Sequence, residues 1–283
     1  MALYCEELQK MAKKHKTLLC FGLDPTLEEF PSSITGSTKQ KIILFYSSII
    51  DAAPKGSFSA LKPNYAFFAQ YGFEGLQALK ELIDTYKDKY TIILDVKRGD
   101  IGRTARAYAK EGYEFFGADA LTLSPLMGDD SIEPYFEYFA KGKGAYLLCR
   151  TSNAGAQDFL MQKMGDGRPL YKKIAEKTVE WDSSGSLGLV VGGTNISDLE
   201  EIFTMLAGAK KAIPLLIPGI GAQGGSAGRV ANALAKHKML APLARVNASS
   251  SISYAFKKAE TNDYLQAALD EMKSLNKEMK IEL

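Results

Sequence analysis

Short apolar runs alternate with longer stretches of helical periodicity along most of the chain. Strand side chains alternate faces and helical ones recur every three to four positions, so the two patterns separate by period. Leu18-Leu19-Cys20-Phe21-Gly22-Leu23 predicts a buried first strand that ends at Asp24-Pro25. Phe58-Ser59-Ala60-Leu61 predicts a second, ending at Lys62-Pro63-Asn64. Ile92-Ile93-Leu94 opens a third, which runs into the charged stretch Asp95-Val96-Lys97-Arg98-Gly99-Asp100. Further runs begin at Ala118, Gly144, Leu187 and Leu215, and an eighth strand end is read over Arg245–Ile252. Helical periodicity covers Leu3–Lys14, Lys39–Ala52, Gly75–Tyr86, about Thr104–Phe115 and Tyr264–Met279. Runs that are apolar on both faces suit parallel strands covered by helices. Eight short strands, most followed by a helix, predict an α/β fold: a single (β/α)8 TIM barrel. With no linker or low-complexity segment to divide it, residues 1–283 are read as one domain.

The third run carries the densest chemistry. Asp95 and Lys97 are two apart, so a regular strand projects both the same way. A charge pair at the end of a buried strand is costly unless the charges compensate one another. Taken alone, Asp-x-Lys fits a solvated pair at a fraying strand end. Asp100, the flanking glycines and the apolar lead-in shift the reading to an active site, which in parallel barrels sits at the carboxyl ends of strands. The loop Pro218-Gly219-Ile220-Gly221-Ala222-Gln223-Gly224-Gly225 lets backbone amides approach an anion closely, although such glycines also suit a flexible connection.

Composition narrows the class. The 283 residues are 46% hydrophobic and 24% charged, enough for a large core. A formal net charge of +2 is too small to suggest a nucleic-acid polymer or a membrane as partner. Cys5, Cys20 and Cys149 lack metal-ligand spacing and are expected to be reduced and mostly buried. The only histidines, His15 and His237, lie in polar helical contexts and are expected to be solvated, so proton transfer falls to Lys, Asp, Glu or Tyr. No apolar run reaches membrane-spanning length and the amino terminus lacks a secretory pattern; the expectation is a cytoplasmic enzyme.

The phrase Asp95-x-Lys97-x-x-Asp100-Ile101 resembles the signature of the orotidine 5′-monophosphate decarboxylase family. Its extension through Gly102, Thr104 and Tyr108-Ala109 resembles the second subgroup. Gly22-Leu23-Asp24-Pro25, Lys62-Pro63-Asn64, Thr151-Ser152-Asn153 and the Pro218–Gln223 loop resemble further motifs, so the likeness spans nearly the whole chain.

The resemblance implies cofactor-independent decarboxylation of orotidine monophosphate to UMP in pyrimidine biosynthesis, without metal. It implies an alternating-charge network of Lys62, Asp95, Lys97 and Asp100. Lys97 would protonate C6, Asp95 would lie beside the departing carboxylate, and Lys62 would bridge the carboxylates and the ribose. Asp24 would contact the ribose and Ser152 the pyrimidine amide, while Pro218, Gly221 and Gln223 belong to the phosphate loop. Asn64, Ile101 and Thr104 complete the substrate contacts. A homodimer with shared sites is implied, Asp100 and Thr104 of one chain completing the site of the other.

One position departs from the family: Ser250 stands where an arginine usually clasps the phosphate. A hydroxyl offers a neutral hydrogen bond but no charge. Arg229 and Arg245 are the candidate substitutes. Two other readings stay open. One is a metal-dependent sugar-phosphate decarboxylase or aldolase on the same barrel; the other is a non-catalytic nucleotide-binding protein.

Overall fold

The computed structural model describes residues 3–221 and 224–280. The expected strands form as β1 (Leu19–Leu23), β2 (Ala60–Pro63), β3 (Thr91–Arg98) and β4 (Ala120–Leu123). They continue as β5 (Gly144–Arg150), β6 (Leu187–Val191), β7 (Leu215–Ile217) and β8 (Ala244–Ala248). Each pairs in parallel with the next, and β8 pairs back onto β1 through Leu19–Val246, Cys20–Asn247 and Phe21–Ala248. The result is a closed eight-stranded barrel, as the alternation of runs and helices predicts.

The barrel has two apolar layers. Outer strand residues such as Phe21, Leu61, Leu94 and Leu147 pack against the surrounding helices. Cys20, Ala60, Ile93, Ala120, Tyr146 and Leu216 fill the interior together with Tyr4 and Leu8. Those last two come from the leading helix Tyr4–His15, which therefore plugs one end of the barrel. The plug is fastened by a 2.9 Å hydrogen bond between the Tyr4 and Tyr146 hydroxyls. Arg245, fully buried, adds a 2.6 Å bond from Nη2 to the Leu8 carbonyl. With that end closed, the carboxyl ends of the strands are the open mouth.

Several sequence expectations are corrected. The eighth strand stops at Ala248, where pairing with Phe21 ends, and Ser250–Ser253 forms a short helix instead. The helix expected over Thr104–Phe115 starts at Gly102 and passes after Lys110 into a π-helical turn, Glu111–Phe115. His15 is buried, not solvated: its ring lies 5.2 Å from that of Tyr90, and burial pushes its pKa down. His237 is half-buried beside Phe203. All three cysteines are free and buried, as expected.

Candidate active site

The site begins with an irregularity in β3. Pairing between β3 and β4 shifts register between Leu94 and Arg98, and Lys97 adopts φ +47°, a left-handed backbone that a lysine rarely takes. Such a conformation costs about 1–2 kcal/mol and persists only where its surroundings impose it. Here Thr122 on β4 imposes it: its hydroxyl accepts hydrogen bonds from the amides of Val96 (3.0 Å) and Lys97 (2.9 Å). Asp95 and Lys97 do meet, but across a bulge and not through the regular alternation expected of the strand.

Asp95 is the hub. Its Oδ2 accepts from Lys62 Nζ at 3.0 Å, and its Oδ1 accepts from Lys97 Nζ at 2.7 Å and from the Thr122 hydroxyl at 2.8 Å. Lys62, carried on β2, is 3% exposed, whereas the Lys97 side chain is 52% exposed at the mouth. Burial alone would neutralise Lys62, but Asp95 and then Asp24 outweigh it and raise its pKa. Burial likewise works against the Asp95 carboxylate, and Lys62 and Lys97 together hold it well below the usual carboxylate range. One charge is thus locked in the wall and the other is presented to the mouth.

These groups line a cavity of about 310 Å³ at the carboxyl ends of the strands. Asp24, Asn64, Ser152 and Pro218, all expected site residues, line the same cavity. Thr122, Thr151, Asn153, Asn247 and Ser249 line it as well and were not among the residues expected from sequence. Asp24 Oδ1, Asn247 Oδ1 and the Ser249 hydroxyl are buried without a hydrogen-bond partner in the protein. Buried polar groups are normally satisfied, so this concentration is characteristic of a surface built to meet a ligand. Gly22 makes room for it: a Cβ there would lie 1.8 Å from Ser249 Oγ.

The remaining expected residues are placed differently. Asp100 is half-buried outside the cavity, and its carboxylate accepts from the Ile101 amide at 2.8 Å. Ile101 and Thr104 are exposed and do not line the cavity either. Gly221 has φ +81° and its amide bonds Gly225 O, so the glycine shapes the loop beside the cavity. Gln223 lies outside the described residues. Ser250 lines the cavity at the start of its short helix.

Of the two candidate substitutes for a phosphate-binding arginine, Arg245 is excluded. It sits at the plugged end of β8, committed to the carbonyls of Leu8, Pro242 and Ala244. Arg229 is exposed and lines an adjoining surface cavity that shares Ser152 and Asn153 with the first.

The chain is similar to known proteins in both sequence and fold. The chain is 42% identical over 257 residues to an orotidine 5′-phosphate decarboxylase of Verminephrobacter eiseniae, covering 89% of this chain and 90% of that one. The structure superposes on Leishmania donovani OMP decarboxylase with a TM-score of 0.77 at 31% identity, covering 97% of this chain and 99% of that one. It also superposes on Leishmania donovani UMP synthase, with a TM-score of 0.80 at 32% identity over 99% of this chain, which spans 57% of that longer protein. Residues 17–261 match the sequence model of one family, and the chain belongs to it: the orotidine 5′-phosphate decarboxylase / HUMPS family.

Proposed function

We propose that this chain decarboxylates orotidine 5′-monophosphate to UMP in pyrimidine biosynthesis, with residues 1–283 acting as one catalytic domain. The observation that carries the reading is the Lys62–Asp95–Lys97 network, in which a single buried carboxylate holds one buried and one presented cation. In the reaction the bond between C6 and the carboxylate carbon breaks, and its electron pair stays on C6 as CO2 leaves. Lys97 Nζ stabilises that developing charge and delivers a proton to C6; solvent then reprotonates the amine. Asp95 lies beside the departing carboxylate and disfavours it. Because the charges are fixed before substrate arrives, little reorganisation is needed at the transition state.

Asp24 and Lys62 bind the ribose in this scheme, with Asn64 beside them, and Ser152 reads the pyrimidine amide. Pro218, Gly221 and Gln223 shape the phosphate end. Phosphate binding far from C6 contributes to the chemical step by closing the site and excluding water. The residues themselves supply this chemistry, so no cofactor is invoked.

The active form is a homodimer in which Asp100 and Thr104 of each chain complete the site of the other. Two features support this. Those residues lie outside their own chain's cavity. Close by, Ile101, Leu126 and Met127 leave 50%, 64% and 55% of their surface exposed, on loops joined by a 2.7 Å bond from Ser124 N to Arg98 O. Exposed apolar side chains gathered at one place suit a subunit interface. The reading places the enzyme in the cytoplasm; among the described residues no helix is long and apolar enough to cross a membrane.

The test is direct. Purified protein mixed with orotidine monophosphate should bleach the orotate absorbance and yield UMP, with or without chelator. Turnover that chelation abolishes and a divalent metal restores would favour the metal-dependent alternative. The Lys62-Pro63-Asn64, Thr151-Ser152-Asn153 and Pro218–Gln223 phrases argue against that alternative. Tight UMP binding without turnover would favour a nucleotide-binding protein.

A further inference from the structure

Thr122 has no place in the charge network, yet it touches every part of it that matters for Lys97. A threonine hydroxyl has one proton to give and two lone pairs to accept with. Both lone pairs are used, by the amides of Val96 at 3.0 Å and Lys97 at 2.9 Å. The single proton is therefore directed to Asp95 Oδ1 at 2.8 Å, the same oxygen that accepts from Lys97 Nζ at 2.7 Å. Lys97 is thus clamped at two points, its backbone amide on the hydroxyl and its ammonium on the carboxylate oxygen that the hydroxyl orients. Thr122 is 1% exposed, and its bond to Asp95 is buried away from bulk solvent. Its strand, β4, is apolar at the neighbouring positions Leu121 and Leu123, leaving the hydroxyl as that segment's one side-chain hydrogen-bonding group at the cavity.

We propose that Thr122 is a positioning residue for proton transfer, its hydroxyl setting both the left-handed backbone of Lys97 and the direction of the Asp95 carboxylate so that the Lys97 ammonium points into the cavity. The proposal rests on the decarboxylase reading for its catalytic consequence, but its structural content does not. Losing the hydroxyl frees two part-buried amides and lets the bulge relax, which displaces Nζ. A displacement of about 1 Å at a reacting group can cost about a hundredfold in rate. Remote contacts to ribose, pyrimidine and phosphate stay in place, so binding should be largely preserved.

The experiment compares Thr122→Ser, Thr122→Cys and Thr122→Val in the otherwise intact chain. Serine keeps all three hydrogen bonds, cysteine offers a weak donor and acceptor, and valine offers none. Two readouts are taken. The first needs no turnover: labelling of Lys97 by an amine reagent, read by peptide mass spectrometry across pH. Labelling should rise several-fold in the order Ser, Cys, Val as the ammonium is released. The second is decarboxylation: kcat should fall in the same order, to about a hundredfold for valine, while KM changes less than about threefold, as for an interaction made chiefly in the transition state. Should the valine variant not fold, the serine-to-cysteine step must still show both trends.

Flat labelling of Lys97 across the folded series overturns the proposal. So does a valine or cysteine variant with unchanged kcat, or one that loses KM alone. If wild-type protein does not turn over orotidine monophosphate but Lys97 labelling follows the series, the catalytic reading fails and the positioning role stands.

Discussion

Asp95→Asn asks what keeps a lysine charged inside the barrel. The amide has the shape of the carboxylate and can still accept from Thr122, but it carries no charge. Lys62 is 3% exposed, and burial already works against its ammonium; Asp95 is the stronger of the two anions that outweigh burial, ahead of Asp24. Removing one partner of a buried ion pair typically costs about 3–5 kcal/mol. Lys62 can escape part of that cost by losing its proton, so its pKa should drop below the ordinary lysine value.

The pH dependence has a definite sign. In the wild type the folded pKa of Asp95 is lowered. Its contribution is therefore full above the ordinary carboxylate value of about 4 and is lost as pH falls through the folded value. Lys62 is raised, so its contribution is full below the ordinary lysine value of about 10.4 and is lost as pH climbs through the folded value. The stability difference between wild type and Asp95→Asn should form a plateau from about pH 5 up to the lowered Lys62 pKa of the variant, above which the neutral amine relieves the penalty and the difference shrinks. It should narrow in acid, where the wild-type carboxylate takes up its proton. Urea denaturation at a series of pH values measures the difference by linear extrapolation, and heteronuclear NMR of labelled lysine follows Lys62. A plateau below about 1 kcal/mol, the magnitude of an exposed pair, would refute the reasoning. A Lys62 that still titrates above the ordinary lysine value would refute it as well.

Three further outcomes are expected. Ser250→Arg should lower KM for orotidine monophosphate by about ten- to a hundredfold, since a charge-assisted phosphate contact contributes about 1.5–3 kcal/mol; an unchanged KM in steady-state assays would mean that Arg229 already serves, and Arg229→Ala would then raise it. Gly22→Ala drives a Cβ to 1.8 Å from Ser249 Oγ and should cost about 1–3 kcal/mol by chemical denaturation, largely recovered by adding Ser249→Gly; a loss under about 0.5 kcal/mol would mean that the Ser249 side chain simply moves aside. Lys62→Ala and Asp100→Ala dimers should each be nearly inactive, yet random exchange should restore about a quarter of all sites through heterodimers with one intact site; no recovery, with heterodimers confirmed by mass, would mean that the sites are not shared.

Which parts of this molecule can be read from the chain follows from where the information lies. Asp24, Lys62, Asp95 and Lys97 announce themselves because each is a charge at the end of an apolar run, and that contrast is local. The barrel is legible for the same reason, since its strands are short apolar runs at regular intervals. Thr122 is not legible: threonine is an ordinary strand residue, and its role depends on a bulge in the adjacent strand that no property of Lys97 signals. Ser249 and Asn247 are equally silent, because their significance is the absence of a partner in three dimensions. Nor does the sequence separate Arg245 from a ligand-binding arginine, since only the closed barrel puts it at the plugged end. His15 misleads in the opposite direction: lysines flank it in sequence, yet its own face of the helix turns inward onto Tyr90.

The central claim is that Lys97, held by Asp95, carries the proton to C6. It is tested most directly by single-turnover decarboxylation of orotidine monophosphate in deuterated water, with wild-type protein and Lys97→Ala side by side. Wild type should release CO2 and form UMP carrying deuterium at C6. Lys97→Ala should still bind UMP but should form product at least about a hundredfold more slowly. A Lys97→Ala protein that decarboxylates at near wild-type rate would contradict the account, as would wild-type protein that binds the nucleotide and leaves its carboxylate in place.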